Sequence, residues 1–149
     1  MEVFKAYYHS PLGTMEIRST NRGLISIKFV DEIDSNNPNE HILSCIHQLK
    51  EYFKGIRTSF TLELSLDLSK FQKKVLDSLF DIPYGTVKNY SALAKAIGQP
   101  GAVRAVAKAV GNNPLAIVIP CHRVIGKNGE LRGYAWGKWR KEELLKHEC

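Results

Sequence analysis

Cysteine is scarce in this chain of 149 residues: only Cys45, Cys121 and Cys149 occur, odd in number and far apart. They make no CxxC pair and no disulfide framework. A stapled secreted scaffold is therefore excluded, and a reducing, cytoplasmic setting is expected. Long apolar runs are also lacking. None approaches the ~18 residues a membrane helix needs, and the opening MEVFKAYYHS has no basic stretch followed by an apolar one. No membrane partner and no secretory signal are expected. The histidines His9, His41 and His47 do not meet Cys45 at a zinc-ligand spacing, so no metal is expected, and no cofactor motif is found. Acidic residues are the last shortage. Lys and Arg number 21 against 15 Asp and Glu, a net charge of +6. The imbalance is local: Met1–Leu68 holds seven basic and nine acidic residues, Ser69–Cys149 fourteen and six. A basic C-terminal part suits either a solvated surface or a polyanionic partner, and charge alone does not choose.

What is present suffices for a folded core. With 44% hydrophobic and 24% charged residues the composition is globular, and the length fits one domain or two small ones. The N-terminal part reads as a small antiparallel sheet. Phe4–His9, Met15–Thr20 and Leu24–Val30 are candidate strands, separated by the turns Ser10-Pro11-Leu12-Gly13 and Asn21-Arg22-Gly23. A helix is expected next, with Asn37 as N-cap, Pro38 in the first turn, Ile42, Ile46, Leu49 and Phe53 inward, and Gly55 just past its end. Phe60–Leu66 resembles a further short strand. From Ser69 the pattern turns helical. Ser69 with Gln72 forms a capping box for a helix through about Phe80. Ile82-Pro83-Tyr84-Gly85 breaks it. A short helix follows near Ser91–Ile97, and a second runs from Gln99-Pro100 to about Val110. Two short helices joined through Gly98 have the outline of a helix-turn-helix. Gly101, Ala105 and Lys108 with Arg104 give the second helix a face of small residues and cations that suits close approach to a nucleic-acid backbone.

One run carries chemistry. Asn112-Asn113-Pro114 leads into the apolar, strand-like Leu115–Ile119, and then come Pro120-Cys121-His122-Arg123-Val124-Ile125-Gly126. A thiolate is the nucleophile, and adjacent His and Arg are the groups that generate one. A buried structural cysteine is the other reading that spacing leaves open.

The string Ile119-Pro120-Cys121-His122-Arg123-Val124-Ile125-Gly126 strongly resembles the active-site motif of the O6-alkylguanine-DNA alkyltransferases, the methylated-DNA–protein-cysteine methyltransferases. The resemblance extends to Phe71-Gln72, Ile82–Val87, Tyr90, Ala94, Ile97-Gly98, Arg104-Ala105-Val106, Gly111–Pro114, Gly133-Tyr134 and Leu144–Glu148, in order along residues 69–149. It implies an α+β fold: a ribonuclease-H-like sheet and helix over 1–68, then a helical, winged helix-turn-helix-like catalytic domain over 69–149. It implies that Cys121 takes the alkyl group from O6 of guanine. His122 would draw off the thiol proton through a water, Glu148 would orient His122, and Asn113 would brace the active-site turn. Arg123 would hold local structure by salt bridging. Arg104 would enter the base stack while Tyr90 crowds the phosphate, so that the nucleotide flips out. Gly101, Ala105 and Lys108 would face the minor groove. Tyr134, the carbonyls of Cys121 and Val124, and the N–H of Ala135 would address the base. The implied partner is double-stranded DNA carrying O6-alkylguanine, with O4-alkylthymine a second candidate lesion. The implied protein is a monomer that reacts once per chain and is found at the nucleoid when on DNA.

The sequence departs from that pattern in two places. Trp136 follows Ala135 where many members carry Gly, and it is expected to narrow the pocket toward methyl adducts. Ala107 stands where Gly is usual. Other classes fit less of the chain. An alkylated-DNA recognition module without transfer activity would lack Cys121, a winged-helix transcription factor leaves Cys121-His122 with Glu148 unexplained, and a cysteine hydrolase leaves the Arg104 helix unexplained.

Overall fold

The computed structural model describes residues 1–149 as a mixed α+β chain in two compact units. One unit comprises Met1–Asp67 with Pro114–Val118; the other comprises Leu68–Asn113 with Ile119–Cys149. A division at residue 68 is therefore interrupted: five residues just upstream of Cys121 belong to the first unit.

The first unit is built on a three-stranded antiparallel sheet, β1 (Phe4–Ser10), β2 (Gly13–Thr20) and β3 (Gly23–Phe29), in that order. The alternation expected of a half-buried sheet places Met15, Ile17 and Ile27 in the core, with Ile17 opposite Ile27 in the register. Helix α1 (Glu40–Phe53) covers it with Ile42, Cys45, Leu49 and Tyr52. Its cap is Asn39, not Asn37. Both backbone groups of Asn37 are committed to Lys5, at 3.0 and 2.7 Å, so that residue stays extended. Asn39 Oδ1 accepts from Ile42 N–H at 3.2 Å and from the Ser19 hydroxyl at 2.7 Å. Tertiary pairing thus moved the helix start by two residues. Cys45 is fully buried in the core.

Phe60–Leu66 forms no strand. Only Leu64 pairs, in an isolated parallel bridge to Leu24, closed by Leu24 N–H to Glu63 O and Ser65 N–H to Leu24 O, each at 2.9 Å. The apolar stretch before Cys121 is not a strand either. Leu115 makes one parallel bridge to Ile27. The chain then turns at Ile117, whose φ of +70° is the one positive value outside glycine. Val118 N–H reaches Ala116 O at 2.8 Å across it, a left-handed γ-turn. A β-branched side chain there stores on the order of 1–3 kcal/mol of backbone strain. Pro120 is the centre of a second three-residue turn, with Cys121 N–H on Ile119 O at 2.8 Å. Hydrophobicity predicted the burial of this segment; its turns follow from the pairing of Leu115.

The second unit is helical. Helix α2 (Lys70–Phe80) starts with the full Ser69–Gln72 capping box and buries Val75, Leu76 and Leu79. A two-residue strand β4 (Lys88–Asn89) pairs in parallel with β5 (Val124–Ile125). Asn89 then caps α3 (Tyr90–Ala96), accepting from Ala92 N–H at 2.8 Å. Helix α4 (Val103–Gly111) begins later than the sequence suggests. Pro100 disfavours helix at Gln99 and instead takes the second position of a turn closed by Ala102 N–H on Gln99 O at 2.9 Å. Gly101 therefore lies in the turn, not on the helix. Helix α5 (Lys138–His147) ends the chain at Glu148 and Cys149. No helix is long and apolar enough to cross a membrane.

Gly23 tests the first unit. Its φ is +155°, and a Cβ there would lie 2.7 Å from the Glu63 carbonyl oxygen, a backbone atom that cannot rotate away. Gly23→Ala is expected to cost at least about 2 kcal/mol, read as a lower urea midpoint at unchanged slope.

Candidate active site

The site grows from the turn that follows Pro120. Residues Cys121–Arg123 form a single 3-10 turn leading into β5, so three consecutive side chains fan outward from one point. All three are buried. A buried thiol, imidazole and guanidinium need partners; the thiol finds Asn113, and the imidazole and guanidinium share Glu148.

Arg123 is satisfied most completely. Its Nε donates to Glu148 Oε1 at 2.8 Å and its Nη2 to Glu148 Oε2 at 3.1 Å, a two-pronged pair. Nη1 donates to Ile82 O at 2.8 Å, and the guanidinium lies 5.7 Å from the centre of the Tyr84 ring. Glu148 also accepts from His122 Nε2 at 2.7 Å. The carboxylate thus joins the two side chains that follow the thiol in sequence. Gly85 makes room for this. At φ +80° it lets the chain turn, and a Cβ there would come within 3.0 Å of the Glu148 carbonyl oxygen.

His122 is fully buried, and burial holds its pKa below the ordinary 6.5 despite Glu148 beside it. With Nε2–H donating to the carboxylate, the neutral ring keeps Nδ1 as an acceptor, and Nδ1 meets no protein donor. Cys121 Sγ accepts from Asn113 Nδ2 at 3.0 Å, and the same amide donates to Ile119 O at 2.8 Å. Asn113 thereby ties the thiol to the turn that carries it. Burial pushes the Cys121 thiol up to about 11, with Asn113 and Lys141 opposing that rise. The protein at rest holds a thiol, not a thiolate.

Two adjoining cavities lie beside this cluster. A small one of about 40 Å³ is lined by Cys121, Tyr134, Ala135, Tyr90, Val110 and Ala107, among others. A larger one of about 720 Å³ is lined by Tyr90, Val103, Arg104 and Ala107 of α3 and α4 and by loop residues after β5. Tyr90, Ala107 and Gly133 belong to both. The Tyr134 hydroxyl is buried and unpartnered. Burial also raises its pKa well above the ordinary value, so it remains an O–H donor.

The structure therefore gathers Cys121, His122, Glu148 and Asn113 in one cluster, with Tyr134 and Ala135 at the small cavity and Arg104 and Tyr90 at the large one. Other expected residues fall elsewhere. Val124 is buried in β5 and lines neither cavity. Trp136, expected to narrow the pocket, does not line it. Its ring meets Tyr134 edge-on at 5.2 Å, and its carbonyl accepts from Arg140 at 2.8 Å, so it packs against the pocket tyrosine instead. Gly101, Ala105 and Lys108 are exposed and outside both cavities. Val103 lines the larger cavity.

Two residues have more to do than the sequence reading assigned. Ala107 lines both cavities, where a larger side chain would fill their junction. Lys141 is 1% exposed, and burial lowers its pKa to about 8. Its Nζ donates to Arg132 O at 3.3 Å, and its charge is felt at the Cys121 thiol. The signal was available: Lys141 shares a helical face with Leu144 and Glu148, an inward place for a lysine.

Comparison with known proteins fits this arrangement. The family described as "6-O-methylguanine DNA methyltransferase, DNA binding domain" matches residues 70–149. The one described as "6-O-methylguanine DNA methyltransferase, ribonuclease-like domain" matches residues 3–66. The methylated-DNA–protein-cysteine methyltransferase of Methanosarcina acetivorans is 41% identical over 153 residues, covering 98% of each chain. That of Mycolicibacterium paratuberculosis is 42% identical over 143 residues, covering 91% of this chain and 86% of its own. The crystal structure of the O6-methylguanine methyltransferase of Mycobacterium tuberculosis superposes with a TM-score of 0.89 at 37% identity, over 99% of this chain and 93% of that one. The same protein in complex with DNA gives 0.87 at 39% identity, over 95% and 90%. The chain belongs to the methylated-DNA–protein-cysteine methyltransferase family.

Proposed function

We propose that this protein repairs DNA by moving the alkyl group of O6-alkylguanine onto Cys121, irreversibly and once per chain. The observation that carries the reading is one small cavity shared by the Cys121 thiol and the unpartnered Tyr134 hydroxyl, with His122 and Glu148 linked behind it. A nucleophile, a base and an orienting acid are the parts of covalent catalysis.

The chemistry follows from the hydrogen bonds. The thiol must lose its proton at the moment of attack, because burial keeps it protonated at rest. His122 Nδ1 is the acceptor left over, reached through a water, while Glu148 stabilises the imidazolium that forms. Sulfur attacks the alkyl carbon, the S–C bond forms, and the carbon–O6 bond breaks with its electron pair on the guanine. The Tyr134 hydroxyl donates to N3 of the base, and the Ala135 N–H addresses O6, so the departing guanine is stabilised as negative charge develops. The carbonyl of Cys121, at the small cavity, accepts from the exocyclic amine, and that of Val124 joins it only once the cavity has opened. The proton removed from the thiol ends on the guanine. A thioether is stable, and nothing in the site reverses it.

A guanine inside a duplex cannot reach this thiol, so the nucleotide is extruded. Arg104 on α4 fills the stack, and Tyr90 crowds the phosphate. Gly101, Ala105 and Lys108 lie outside both cavities on the exposed side, where a minor groove would approach. A cavity of about 40 Å³ holds little more than a water. The wall at residues 133–135 must therefore yield to admit a base. In this reading α3 and α4 act as a winged helix-turn-helix-like unit within residues 69–149. The sheet of residues 1–68 is a ribonuclease-H-like support, and the protein works as a cytoplasmic monomer on double-stranded DNA.

Incubation with duplex DNA carrying O6-methylguanine should add one methyl mass to the peptide holding Cys121. Cys121→Ala should abolish transfer while keeping DNA binding, and its failure to do so would sink the reading. Arg104→Ala should slow repair of duplex DNA by about ten-fold or more while leaving reaction with the free base nearly unchanged, since unstacking costs only a few kcal/mol. Folding should also report on His122. The unfolded chain takes up a proton near pH 6.5 that the folded chain refuses, so stability should fall as pH drops below about 6.5, by up to ~1.4 kcal/mol per pH unit. Urea titrations at pH 7.5 and 5.5 should show that loss diminished in His122→Gln.

A further inference from the structure

Arg132 has no part in the transfer chemistry. This residue lies on the loop between β5 and α5, and its side chain lines the larger cavity together with Arg104 and Lys127, with no acidic residue in the lining. The next residue, Gly133, lines both cavities. Arg132 thus marks the threshold between the outer space and the thiol.

Its position is held from behind. The Arg132 carbonyl accepts from the buried Lys141 Nζ at 3.3 Å, which tethers the loop to α5. Its guanidinium is already engaged with an oxyanion. Arg132 Nη2 donates to Glu130 Oε1 at 3.0 Å, while the other oxygen of Glu130 accepts from Asn128 N–H at 2.9 Å. Both partners of that ion pair are well exposed, and such pairs contribute little, so exchange for another oxyanion is cheap. A planar guanidinium with five donors suits a phosphodiester better than a carboxylate already shared with a backbone N–H. The charge of Arg132 is also felt at the Tyr90 hydroxyl, which places it within electrostatic reach of the residue assigned to the phosphate.

We propose that Arg132 is a positioning residue that exchanges Glu130 for the phosphodiester beside the extruded nucleotide, holding the nucleotide at the threshold while its base enters the small cavity. This rests on the repair reading, and one experiment separates the two. Transfer to Cys121 is timed with duplex DNA carrying O6-methylguanine and with free O6-methylguanine, which has no phosphate. Duplex affinity is measured across salt concentrations.

Arg132→Ala should slow the duplex reaction by about three- to ten-fold and lower the salt slope of log affinity by about 0.9, the share of one phosphate contact. The free-base rate should stay within about two-fold. Arg132→Lys should restore the slope but not the full rate, because it keeps the charge without the fork. Glu130→Gln should tighten duplex binding by about two-fold by freeing the guanidinium. An unchanged salt slope in Arg132→Ala, or duplex and free-base rates falling together, overturns the assignment; the second result would mean a collapsed loop. Failure of the parent protein to methylate Cys121 from either substrate overturns the repair reading itself. Normal transfer by the parent with Arg132→Ala indistinguishable from it overturns only the role of Arg132.

Discussion

The second unit depends on one buried carboxylate. Glu148 takes both prongs of Arg123 and the Nε2–H of His122, with almost no exposure to water. Burying such charges is costly, and the cost is offset only when every polar atom is matched. Here the match is nearly complete. Arg123 donates from Nη1 to Ile82 O and faces Tyr84, and Gly85 leaves space for the backbone of Glu148. Removing Arg123 or Glu148 would strand a charge in the interior. The clamp thereby holds the end of α5, the Ile82–Gly85 turn and the Cys121–Arg123 turn to one another.

That clamp has a chemical consequence. It consumes Nε2 of His122 and so sets the tautomer, leaving Nδ1 as the free acceptor of a neutral ring. The thiol is restrained separately, by Asn113. Burial raises the thiol and lowers the histidine, and both shifts favour uncharged groups before reaction. A site that keeps its nucleophile protonated until substrate arrives protects a thiol that, on the proposed reading, is used only once. Lys141, itself depressed by burial, adds positive potential without forming an ion pair at rest.

Much of this was legible in the sequence because it is local. The Ser69–Gln72 capping box, the three strands and the inward placing of Ile42 and Leu49 on α1 are set by residues within a few positions of one another, whereas Ile46 and Phe53, also expected inward, are only half-buried. The site motif is likewise contiguous from Ile119 to Gly126, with Glu148 on the closing segment. The misplacements share one cause. Asn37 lost the cap to Asn39 because Lys5 claims its backbone, and Phe60–Leu66 kept a single bridge, to Leu24, while the Gln48 side chain takes both backbone groups of Thr61. Leu115–Ile119 reads as a strand by hydrophobicity, yet it is turned at Ile117 after one bridge to Ile27. Trp136 looked like a pocket wall from its neighbour Ala135, but its ring went to the edge of Tyr134.

The sequence by itself determined the family, the order of the elements and the members of the buried cluster around Cys121, because short-range spacing and a contiguous motif need no knowledge of distant partners. Tertiary structure alone decided which atoms remain unpaired and where. The open Nδ1 of His122, the orphan hydroxyl of Tyr134, the buried Lys141 and the threshold position of Arg132 all depend on residues tens of positions away. Hydrogen bonding and burial are properties of a filled volume, and a linear pattern specifies which residues can fill it without saying which donor is left over.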